Sequence, residues 1–385
     1  MKNIFSCESV GKGHPDKAAD QIADAILDEC LKNDKNARCA IECLITKDVL
    51  ILGGEVSLKS QINFESIARK TLNEIGYSSS SIDFDPINGK IINLIKEQSP
   101  DIYQAVFKEE IAAGDQGIMF GYATNETKEF LPLPFVISNK LLEKANQLRN
   151  DGVFLYAKTD MKSQVSYDYD SKKVTCILLS IQHTYDYDED SFRNFIKNEI
   201  VSPIVKEYQL NEDFQLIINP SGRFVIGGPA GDTGVTGRKI VADSYGGIAR
   251  CGGGAFSGKD PSKVDRSAAY MARYICKNLV ATNLVSKCEL QLGYAIGVKT
   301  PVSINLETYG TEKISKQKLL DIITKTFDLS VQSIIKNLRL QNPIYSNTSC
   351  YGHFGKNDLP WEKLDKVEEI KSRVDNYDFL INHSF

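Results

Sequence analysis

One order of secondary-structure elements occurs three times along this chain of 385 residues, and it limits the possible folds more than any other feature. Each occurrence is a helical pattern, two strand patterns joined by a short turn, and a second helical pattern. In the first helix, Ala18, Ile22 and Ile26 recur at every fourth position and form an apolar face. The three hairpins begin near residues 39, 163 and 289, about 125 residues apart. This repetition predicts an α+β fold of three pseudo-symmetric domains, each with a helix–hairpin–helix organisation.

The boundaries of the repeated units follow from the same patterns. The predicted helices span 15–32, 61–75, 137–149, 189–200, 262–282 and 315–327, and the predicted hairpin strands span 39–45 with 49–56, 163–169 with 174–182, and 289–298 with 302–308. We therefore expect an N-terminal domain at 1–98, a central domain at 111–226 and a C-terminal domain at 228–365. Residues 99–117 have weak periodicity, as a mobile connection would, and we predict a mobile loop at 99–110. Because helix–hairpin–helix order is common, three unrelated units of similar order are the alternative to a true triplication.

The composition and charge of the chain argue against several classes of protein. Hydrophobic residues make up 42% and charged residues 25% of the chain, a balance typical of globular proteins in water. The formal net charge of −4 gives no overall positive field, which argues against a nucleic-acid partner. The first residues contain no uninterrupted apolar segment, so we expect no signal peptide, no membrane partner and a cytoplasmic location. Nine cysteines without a CxxC pair, and only four histidines, argue against structural zinc and for reduced thiols.

Glycine is concentrated in one part of the chain. Between Gly222 and Gly258 lie 12 of the 27 glycines, interleaved with charged residues. Helices and sheets do not tolerate this density, because glycine costs backbone entropy there. The density therefore predicts that the backbone comes close to a ligand, or turns through positive φ, at several places in this stretch.

The segment Gly13-His14-Pro15-Asp16-Lys17 opens the first predicted helix. Proline suits the first helical position, and the free N–H groups of that turn could bind a phosphate. His14 could donate a hydrogen bond to the same ligand, and Asp16 could hold a cation. A capped helix start with solvated charges is the alternative interpretation.

A second glycine-containing segment leads into another predicted helix that starts with proline. Residues 253–259 fit the first seven positions of the phosphate-loop pattern GxxxxGK[ST]. The next residue is Asp260, which lacks the hydroxyl that holds magnesium in that motif, and no clear strand precedes the loop. We therefore predict that the segment binds polyphosphate through another architecture, with Lys259 and Lys263 one helical turn apart.

A third segment, residues 219–239, combines one aromatic, one carboxylate and three cations with glycine. Phe224 could be a platform for adenine, and Asp232 could bind an ammonium group or a ribose. Arg223, Arg238 and Lys239 could clamp a triphosphate. Each feature alone is weak, and Phe224 alone would more commonly be a core residue. The three segments together indicate a site for a nucleoside triphosphate.

These segments resemble the signature sequences of the S-adenosylmethionine synthetase family. The matching segments are GHPDK at 13–17, GDQGIMFGYATNE at 114–126, GRFVIGGPAGDTGVTGRK at 222–239, YGG at 245–247, GGGAFSGKDPSKVDRSAAY at 252–270 and YGHFGK at 351–356. The resemblance extends over nearly the whole chain. It implies the three-fold pseudo-symmetric α+β fold of that family and a methionine adenosyltransferase activity. In that reaction the methionine sulfur attacks C5′ of ATP, and the released triphosphate is hydrolysed to diphosphate and phosphate.

The resemblance also implies roles for individual residues. The catalytic residues would be His14, Lys162, Arg238 and Lys259, and the ATP site would comprise His14, Asp115, Asp160, Lys162, Arg223, Phe224, Asp232, Arg238, Lys239, Ala255 and Lys259. Methionine would bind at Glu55, Gln98, Asp232 and Lys263. Asp16 and Asp265 would hold about two Mg²⁺ ions per site, and Glu42 would be associated with about one K⁺ per subunit. The implied assembly is a homo-oligomer, a dimer of dimers, with active sites at the dimer interface.

Four positions depart from the family pattern. Lys12 reverses the charge of a glutamate that is usual there, and Cys7 stands where a serine is usual. Thr233 stands where a cysteine is common, and Cys251 where a histidine is common. None of the four is an assigned ligand, so we expect them to affect kinetics and not the reaction.

Two other functions compete with this interpretation. A kinase or ligase could use the same phosphate-binding parts, although Asp260 in place of Ser or Thr argues against a standard phosphate-loop kinase. A nucleotide sensor without turnover is the second alternative. Against a sensor, the charged residues that catalysis would need, such as His14, Asp16 and Lys162, are all retained.

Overall fold

The computed structural model describes residues 3–78, 83–97 and 111–382 of the chain. The predicted methionine ligand Gln98 and the predicted loop at 99–110 lie outside these described residues. The described part consists of three β-sheets and the helices that pack on them. A search of its helices for one with the length and apolar character of a membrane span found none.

The elements have the following bounds. The strands are β1 (Ile4–Val10), β2 (Arg38–Thr46), β3 (Val49–Ser57), β4 (Lys90–Glu97), β5 (Gly117–Thr124), β6 (Ala157–Asp168), β7 (Lys173–His183), β8 (Gln215–Ile218), β9 (Gly234–Val235), β10 (Lys287–Tyr294) and β11 (Ser303–Glu307). The helices are α1 (Pro15–Asn33), α2 (Phe64–Ile75), α3 (Leu133–Asn150), α4 (Glu189–Phe195), α5 (Ser202–Glu207), α6 (Gly228–Gly231), α7 (Ile240–Asp243), α8 (Val264–Ala281), α9 (Lys316–Thr326), α10 (Val331–Asn337) and α11 (Val367–Asn382). A π-helical turn (Ile196–Val201) joins α4 to α5, and a 3₁₀ turn (Pro360–Glu362) precedes α11.

The three sheets share one construction, in which a hairpin receives a strand from another repeat. The hairpin β2–β3 pairs with β9, the hairpin β6–β7 pairs with β1, and the hairpin β10–β11 pairs with β5, all antiparallel. The strand that leads each repeat therefore completes the sheet of a different repeat, and the exchange closes in a ring. In two of the sheets a further strand, β4 or β8, runs parallel to the second strand of the hairpin. Because the exchange is cyclic, each of the three sheets is built from two repeats.

The predicted α+β fold of three repeated units is confirmed. The three predicted hairpins are present, although β6 begins at Ala157 rather than at 163. Helix α8 begins at Val264, so Pro261 does not start it, contrary to the prediction. The strands that lead each repeat and the parallel strands β4 and β8 were not predicted from the sequence. The domain boundaries remain a prediction, since the sheets exchange strands across them.

Two clusters of buried apolar side chains form the core. The larger cluster contains the apolar faces of α1 and α8, with Ile22, Ile26 and Ile275 among its members. The smaller cluster lies between α3 and the sheet that contains β6 and β7, around Leu141 and Ile177. Their burial stabilises the three repeats because each apolar face is removed from water.

Four aspartates run along α1 beside its apolar face. Asp16, Asp20, Asp24 and Asp28 recur at every fourth position and are 4%, 0%, 0% and 6% exposed. Each accepts a backbone N–H from a residue far away in the chain. The donors are Val235 to Asp16 at 2.9 Å, Gly237 to Asp20 at 2.8 Å, Gly258 to Asp24 at 2.9 Å and Tyr345 to Asp28 at 2.9 Å. We call these four residues the aspartate row; its first three members attach the glycine-rich stretch to α1, and Asp28 attaches the loop at Tyr345.

Asp24 also forms a fully buried ion pair with α8. Both terminal nitrogens of Arg266 donate to its carboxylate, at 2.7 and 2.8 Å. Burial opposes the charge on the guanidinium group, but Asp24 raises the pKa of Arg266 above its usual value. The pair therefore fixes α8 against α1 only while both charges are present.

Replacing Asp24 by Asn keeps the volume of the side chain but leaves the Arg266 charge buried without a counter-charge. We expect the free energy of unfolding to fall by about 3–5 kcal/mol, the usual loss when one partner of a buried pair is removed. Denaturant unfolding at a fixed protein concentration measures it. Glu29→Gln on the same helix is the control, since Glu29 forms a partly exposed pair with Lys32 and should cost less than about 1 kcal/mol. Equal losses in the two variants would contradict the assignment.

Candidate active site

A close approach of two strands positions the start of α1. Beyond β1, the N–H of Gly13 donates to the carbonyl oxygen of Thr159 on β6 at 3.1 Å. A Cβ atom on Gly13 would lie 2.3 Å from the Cβ of Thr159, so only glycine fits there. The approach brings His14, the N-cap residue of α1, within electrostatic range of Lys162 on β6.

His14 is buried and electrically neutral. Its Nδ1 accepts the N–H of Asp16 at 3.2 Å, so the proton of the neutral ring lies on Nε2. Burial, and then the positive charges of Lys239 and Lys162, lower the pKa of His14 to about 3. The side chain can therefore donate one hydrogen bond from Nε2 without carrying a positive charge.

The predicted phosphate site at the backbone N–H groups of α1 needs a correction. Pro15 has no N–H, and the N–H of Asp16 donates to His14. These positions of the first turn therefore offer no free backbone donor to a phosphate. The side-chain donors at this end of α1 are those of His14, Lys162 and Lys239.

Two donors from the glycine-rich stretch hold Asp16. Lys239 Nζ lies 2.5 Å from one carboxylate oxygen, and the N–H of Val235 donates to the other oxygen at 2.9 Å. Burial opposes the charged form of Asp16, but the hydrogen bonds from Lys239 and Val235 outweigh it and lower the pKa of the carboxyl group. Asp16 is therefore a carboxylate at neutral pH, as a Mg²⁺ ligand must be.

The loop that carries Lys239 also carries Asp232 and Arg238, which are both exposed. Asp232 accepts the N–H of Thr233 at 2.8 Å. Gly237, at φ +78°, lies against Ala255, because a Cβ atom on Gly237 would come within 2.5 Å of the methyl group of Ala255. The two glycine-rich loops of the predicted site are therefore in contact.

Asp160 has one satisfied and one unsatisfied oxygen. The N–H of Gly228 donates to Oδ2 at 2.8 Å, whereas Oδ1 is buried and has no hydrogen-bond partner among the described residues. Burial raises the pKa of Asp160 to about 6. A buried acceptor without a hydrogen-bond partner is costly, so the unpaired Oδ1 of Asp160 indicates that this oxygen binds a ligand.

Phe224 and Arg223 lie near Asp160 but have different surroundings. Phe224 is half-buried, so it is not a core residue, and part of its ring can contact a ligand. The guanidinium group of Arg223 lies 4.3 Å from the centroid of the exposed Tyr185 ring and donates to the carbonyl oxygen of Tyr185. Arg223, predicted in the ATP site, is therefore already engaged by a neighbouring loop.

A second group of predicted residues shares the exposed face of the sheet around β2 and β3. Lys259 pairs with Ala40 of β2, and Ala40 pairs with Glu55 of β3, so the side chains of Lys259 and Glu55 lie on the same face. Glu42 lies two residues along β2 on that face. Lys259 Nζ donates to Asp265 at 2.6 Å. Burial raises the pKa of Glu42, and the charge of Lys259 opposes this rise.

Asp115 and Lys263 complete the predicted residues in the described ranges. Asp115 is exposed, two residues before β5, and accepts the N–H of Gln116 at 2.7 Å. Lys263 donates to the fully buried Asp260. Lys259 and Lys263 both precede α8, so they are not one helical turn apart on it, contrary to the prediction.

The predicted residues therefore form two groups along α1. The first group is His14, Asp16, Asp160, Lys162 and Lys239, at the N-terminal end of α1. The second group is Glu42, Glu55, Lys259 and Asp265, next to the loop that Asp24 holds. Asp16 and Asp24 are eight residues apart on one helix, which corresponds to about 12 Å.

Asp16 and Asp265 can be the predicted Mg²⁺ ligands only if the remaining ligands of the ion come from substrate phosphates and water. In ranges 3–78, 83–97 and 111–382, three or more His, Cys, Asp or Glu side chains do not come together as a metal site. Mg²⁺ commonly uses one or two protein carboxylates together with substrate phosphates and water. Asp16 and Asp265, each bonded to a lysine, fit an ion that phosphate groups bring to the site.

The residues that support the site were not predicted from the sequence. Asp20, Asp24 and Asp28 were not singled out, although their spacing of four along α1 was a usable signal. Lys17 was part of the motif at residues 13–17, but no role was predicted for it. Its side chain is buried and donates to Asp20 at 2.9 Å and to Asp243 at 2.5 Å. Asp243 lies in the predicted glycine-rich region but had no local signal.

Sequence comparisons match nearly the whole chain to one family. The N-terminal, central and C-terminal domains of S-adenosylmethionine synthetase match residues 2–100, 110–224 and 226–363. A protein of Mycoplasma mycoides subsp. mycoides SC named S-adenosylmethionine synthase is 53% identical over 375 residues, which are 96% of this chain and 97% of that protein. Proteins with the same name from Mesoplasma florum and Mycoplasmopsis pulmonis are 53% and 50% identical, over 96% of this chain and 100% and 99% of theirs.

Replacing Asp160 by Asn should stabilise the ligand-free protein above pH 6. The folded state keeps the Asp160 proton up to about pH 6, whereas the unfolded chain releases it near 3.8, so stability is lost as the pH rises through this window. A neutral amide avoids that loss, and we expect a gain on the order of 2 kcal/mol at pH 8. Thermal unfolding at pH 8 and pH 4 measures the gain. A gain at pH 8 that persists unchanged at pH 4, where wild-type Asp160 is protonated, would contradict the assignment.

Proposed function

The chain belongs to the S-adenosylmethionine synthetase family, and from this premise we propose how its residues carry out the reaction. It is a methionine adenosyltransferase that forms S-adenosylmethionine from ATP and L-methionine. The observation that carries our proposal for the mechanism is the neutral, buried His14 among cationic side chains. The methionine sulfur attacks C5′ of ATP, the C5′–O bond breaks, and the released triphosphate is hydrolysed to diphosphate and phosphate.

The chemistry of the displacement explains which groups the site needs. A thioether sulfur has no proton to lose, so the attack on C5′ needs no general base. Negative charge grows on the leaving oxygen of the triphosphate, and hydrogen-bond donors aimed at that oxygen stabilise the transition state. Alignment of the sulfur, C5′ and the leaving oxygen supplies the remainder of the acceleration.

We assign the triphosphate to the first group of residues. His14 Nε2 carries the ring proton and would donate to the leaving oxygen. Lys162 is exposed on β6, and Arg238 and Lys239 follow the Gly237 turn, so all three can face phosphate oxygens. Phosphate oxygens would compete with Asp16 for the ammonium group of Lys239. Such competition would free a carboxylate oxygen of Asp16 for Mg²⁺.

The nucleoside would lie between Phe224 and Asp160. The half-buried ring of Phe224 supplies a face for adenine, and the unpaired Oδ1 of Asp160 supplies an acceptor for a ribose hydroxyl. Asp115, Arg223, Asp232 and Ala255 stay in the proposed ATP site. A ribose O–H on Asp160 would satisfy the buried oxygen that has no protein partner, which supports this placement.

Enzymes of this family use metal ions, and we propose Mg²⁺ and K⁺ here. Mg²⁺ would neutralise charge on the triphosphate, with Asp16 and Asp265 as its protein ligands and about two ions per site. K⁺ would associate with Glu42, about one ion per subunit. Glu42 lies beside Lys259 in a group that otherwise consists of the carboxylates Glu55 and Asp265, so a monovalent ion there would offset negative charge.

We propose that the two groups of residues serve different active sites in a dimer. His14 and its neighbours of one subunit would face Lys259 and Asp265 of the second subunit. Glu55, Gln98, Asp232 and Lys263 are the proposed methionine ligands at this interface. The exposed Leu44 and Leu94, on β2 and β4, support a protein partner for this sheet. We propose a homotetramer built as a dimer of dimers, in the cytoplasm.

Product analysis tests the function directly. The protein is incubated with ATP, L-methionine, Mg²⁺ and K⁺, and the products are separated by chromatography. We expect a sulfonium product together with orthophosphate and diphosphate. ADP or an adenylated product would instead support a kinase or a ligase, and binding of ATP without any product would support a nucleotide sensor.

Replacing His14 by Asn should slow the displacement more than it weakens binding. Asn is a good N-cap, so the start of α1 is retained, but the donor no longer lies where Nε2 was. One such donor is worth about 2.7–4 kcal/mol, so turnover should fall by about two to three orders of magnitude. Steady-state kinetics measures turnover and the Michaelis constants for ATP and methionine, which should change far less.

Hydrolysis of added triphosphate is the internal control for this variant. The lysine and arginine side chains that hold the phosphates are unchanged, so this hydrolysis should survive better than synthesis. Near-normal turnover with a raised Michaelis constant for ATP alone would show that His14 is only a binding contact.

A further inference from the structure

Strand β7 ends in two buried polar residues to which neither the motifs nor the proposed mechanism gives a role. Gln182 and His183 are both 0% exposed. They lie directly beside residues 224–228, the segment that carries the proposed adenine platform. Buried polar side chains are costly unless they are hydrogen-bonded, so the bonds they form show what they fix.

His183 binds the backbone of Phe224 at two points. The N–H of His183 donates to the carbonyl oxygen of Phe224 at 2.9 Å, and the N–H of Phe224 donates to His183 Nε2 at 3.0 Å. His183 Nδ1 lies 2.9 Å from the carbonyl oxygen of Thr184, which fixes the proton on Nδ1 and leaves Nε2 as the acceptor. The ring stacks on Tyr187 at 3.6 Å between centroids, so it cannot turn away from Phe224 without losing that contact.

Gln182 ties the same segment to Asp160. Its Nε2 donates to the carbonyl oxygen of Val225 at 3.0 Å and to Asp83 at 2.8 Å. Its Oε1 accepts the N–H of Asp160 at 3.3 Å. One side chain therefore spans the two elements that would hold the nucleoside, and its two ends cannot move independently.

These bonds leave two groups free in an otherwise fixed frame. The backbone of Phe224 is fixed at its N–H and its carbonyl oxygen, and Asp160 is fixed at its N–H and at Oδ2. What these bonds do not engage is the half-buried ring of Phe224 and the buried Oδ1 of Asp160, which has no hydrogen-bond partner among the described residues. A nucleoside has a flat base and sugar hydroxyls, which would contact the Phe224 ring and Asp160 Oδ1, respectively. The distance between the ring and this oxygen must therefore match the distance between the base and the sugar hydroxyl.

We propose that His183 is a positioning residue for ATP, which holds Phe224 at the distance from Asp160 that the adenosine group requires, with Gln182 fixing the other end. The proposal rests on the proposed function, since it assumes that the nucleoside lies between Phe224 and Asp160. His183 acts through the backbone of Phe224 and does not touch the substrate. Its loss should therefore weaken nucleoside binding and leave the triphosphate and methionine positions unchanged.

The test compares three substitutions of His183. His183→Leu removes the acceptor for the N–H of Phe224 and should raise the Michaelis constant for ATP about tenfold, the usual effect of one orphaned donor. His183→Gln can place its Oε1 near the former Nε2 and should bring that constant back to within about threefold of the wild type. The side chain of His183→Asn is shorter and reaches only the former Nδ1 position, so this variant should behave like His183→Leu. If His183→Leu does not fold, His183→Gln and His183→Asn still provide the comparison between a variant with the acceptor and a variant without it.

Two readouts separate positioning from a structural role. The Michaelis constant for methionine and the hydrolysis of added triphosphate, which has no nucleoside, should stay within about twofold of the wild type in all three variants. A parallel loss of triphosphate hydrolysis would show that His183 only supports the fold, and this would overturn the proposal. Unchanged Michaelis constants for ATP in His183→Leu and His183→Asn would overturn it as well. Failure of the wild-type protein to form a sulfonium product would count against the proposed function and not against the link between His183 and Phe224.

Discussion

The aspartate row on α1 holds the glycine-rich loops that carry Arg238, Lys239 and Lys259. Its four carboxylates lie on one helix face and bind backbone N–H groups of residues between 235 and 345. Loops so rich in glycine have many available conformations, and fixing them costs conformational entropy. Hydrogen bonds to buried carboxylates offset that cost, because charged acceptors bind N–H groups more strongly than neutral ones. The row therefore converts a flexible stretch of sequence into a defined surface.

Three charges of the row are balanced by paired cations, whereas Asp28 is held by hydrogen bonds from Tyr345 and Ser346. Lys17, Lys239 and Arg266 each donate to one of its members. Burial raises the pKa of Asp20 and of Asp28, which shows that these carboxylates pay a desolvation cost within the fold. Burial likewise opposes the charge of Lys17, but Asp20 and Asp243 raise its pKa above the usual value. Removing a single partner would thus leave an uncompensated buried charge next to the site.

Much of the fold and of the glycine-rich site could be predicted from the sequence, because the relevant signals are local. The period of α1, the alternation in the hairpins and the glycine density are all visible within short windows. The exchange of β1, β5 and β9 between repeats was not predictable, since strand partners are set by contacts between distant residues. The neutrality of His14 also required the structure, because it comes from burial and from Lys239 and Lys162, which are far away in the chain. Helix α8 starts at Val264 and not at Pro261 because the buried Asp260 accepts the N–H of Ser262 and so holds a turn there.

From the separation of the two groups of site residues along α1, we propose that each active site combines residues of two subunits. Mixed dimers with one His14→Asn subunit and one Lys259→Ala subunit test it, purified through different tags on the two subunits. If His14 and Lys259 meet across the interface, one of the two sites is intact, and the mixed dimer should have about half of the wild-type activity. Mixed dimers of His14→Asn and Lys162→Ala are the control and should stay inactive, because both residues belong to the same group. Equal inactivity of the two kinds of mixed dimer would contradict the account, since it would show that His14 and Lys259 act within one chain.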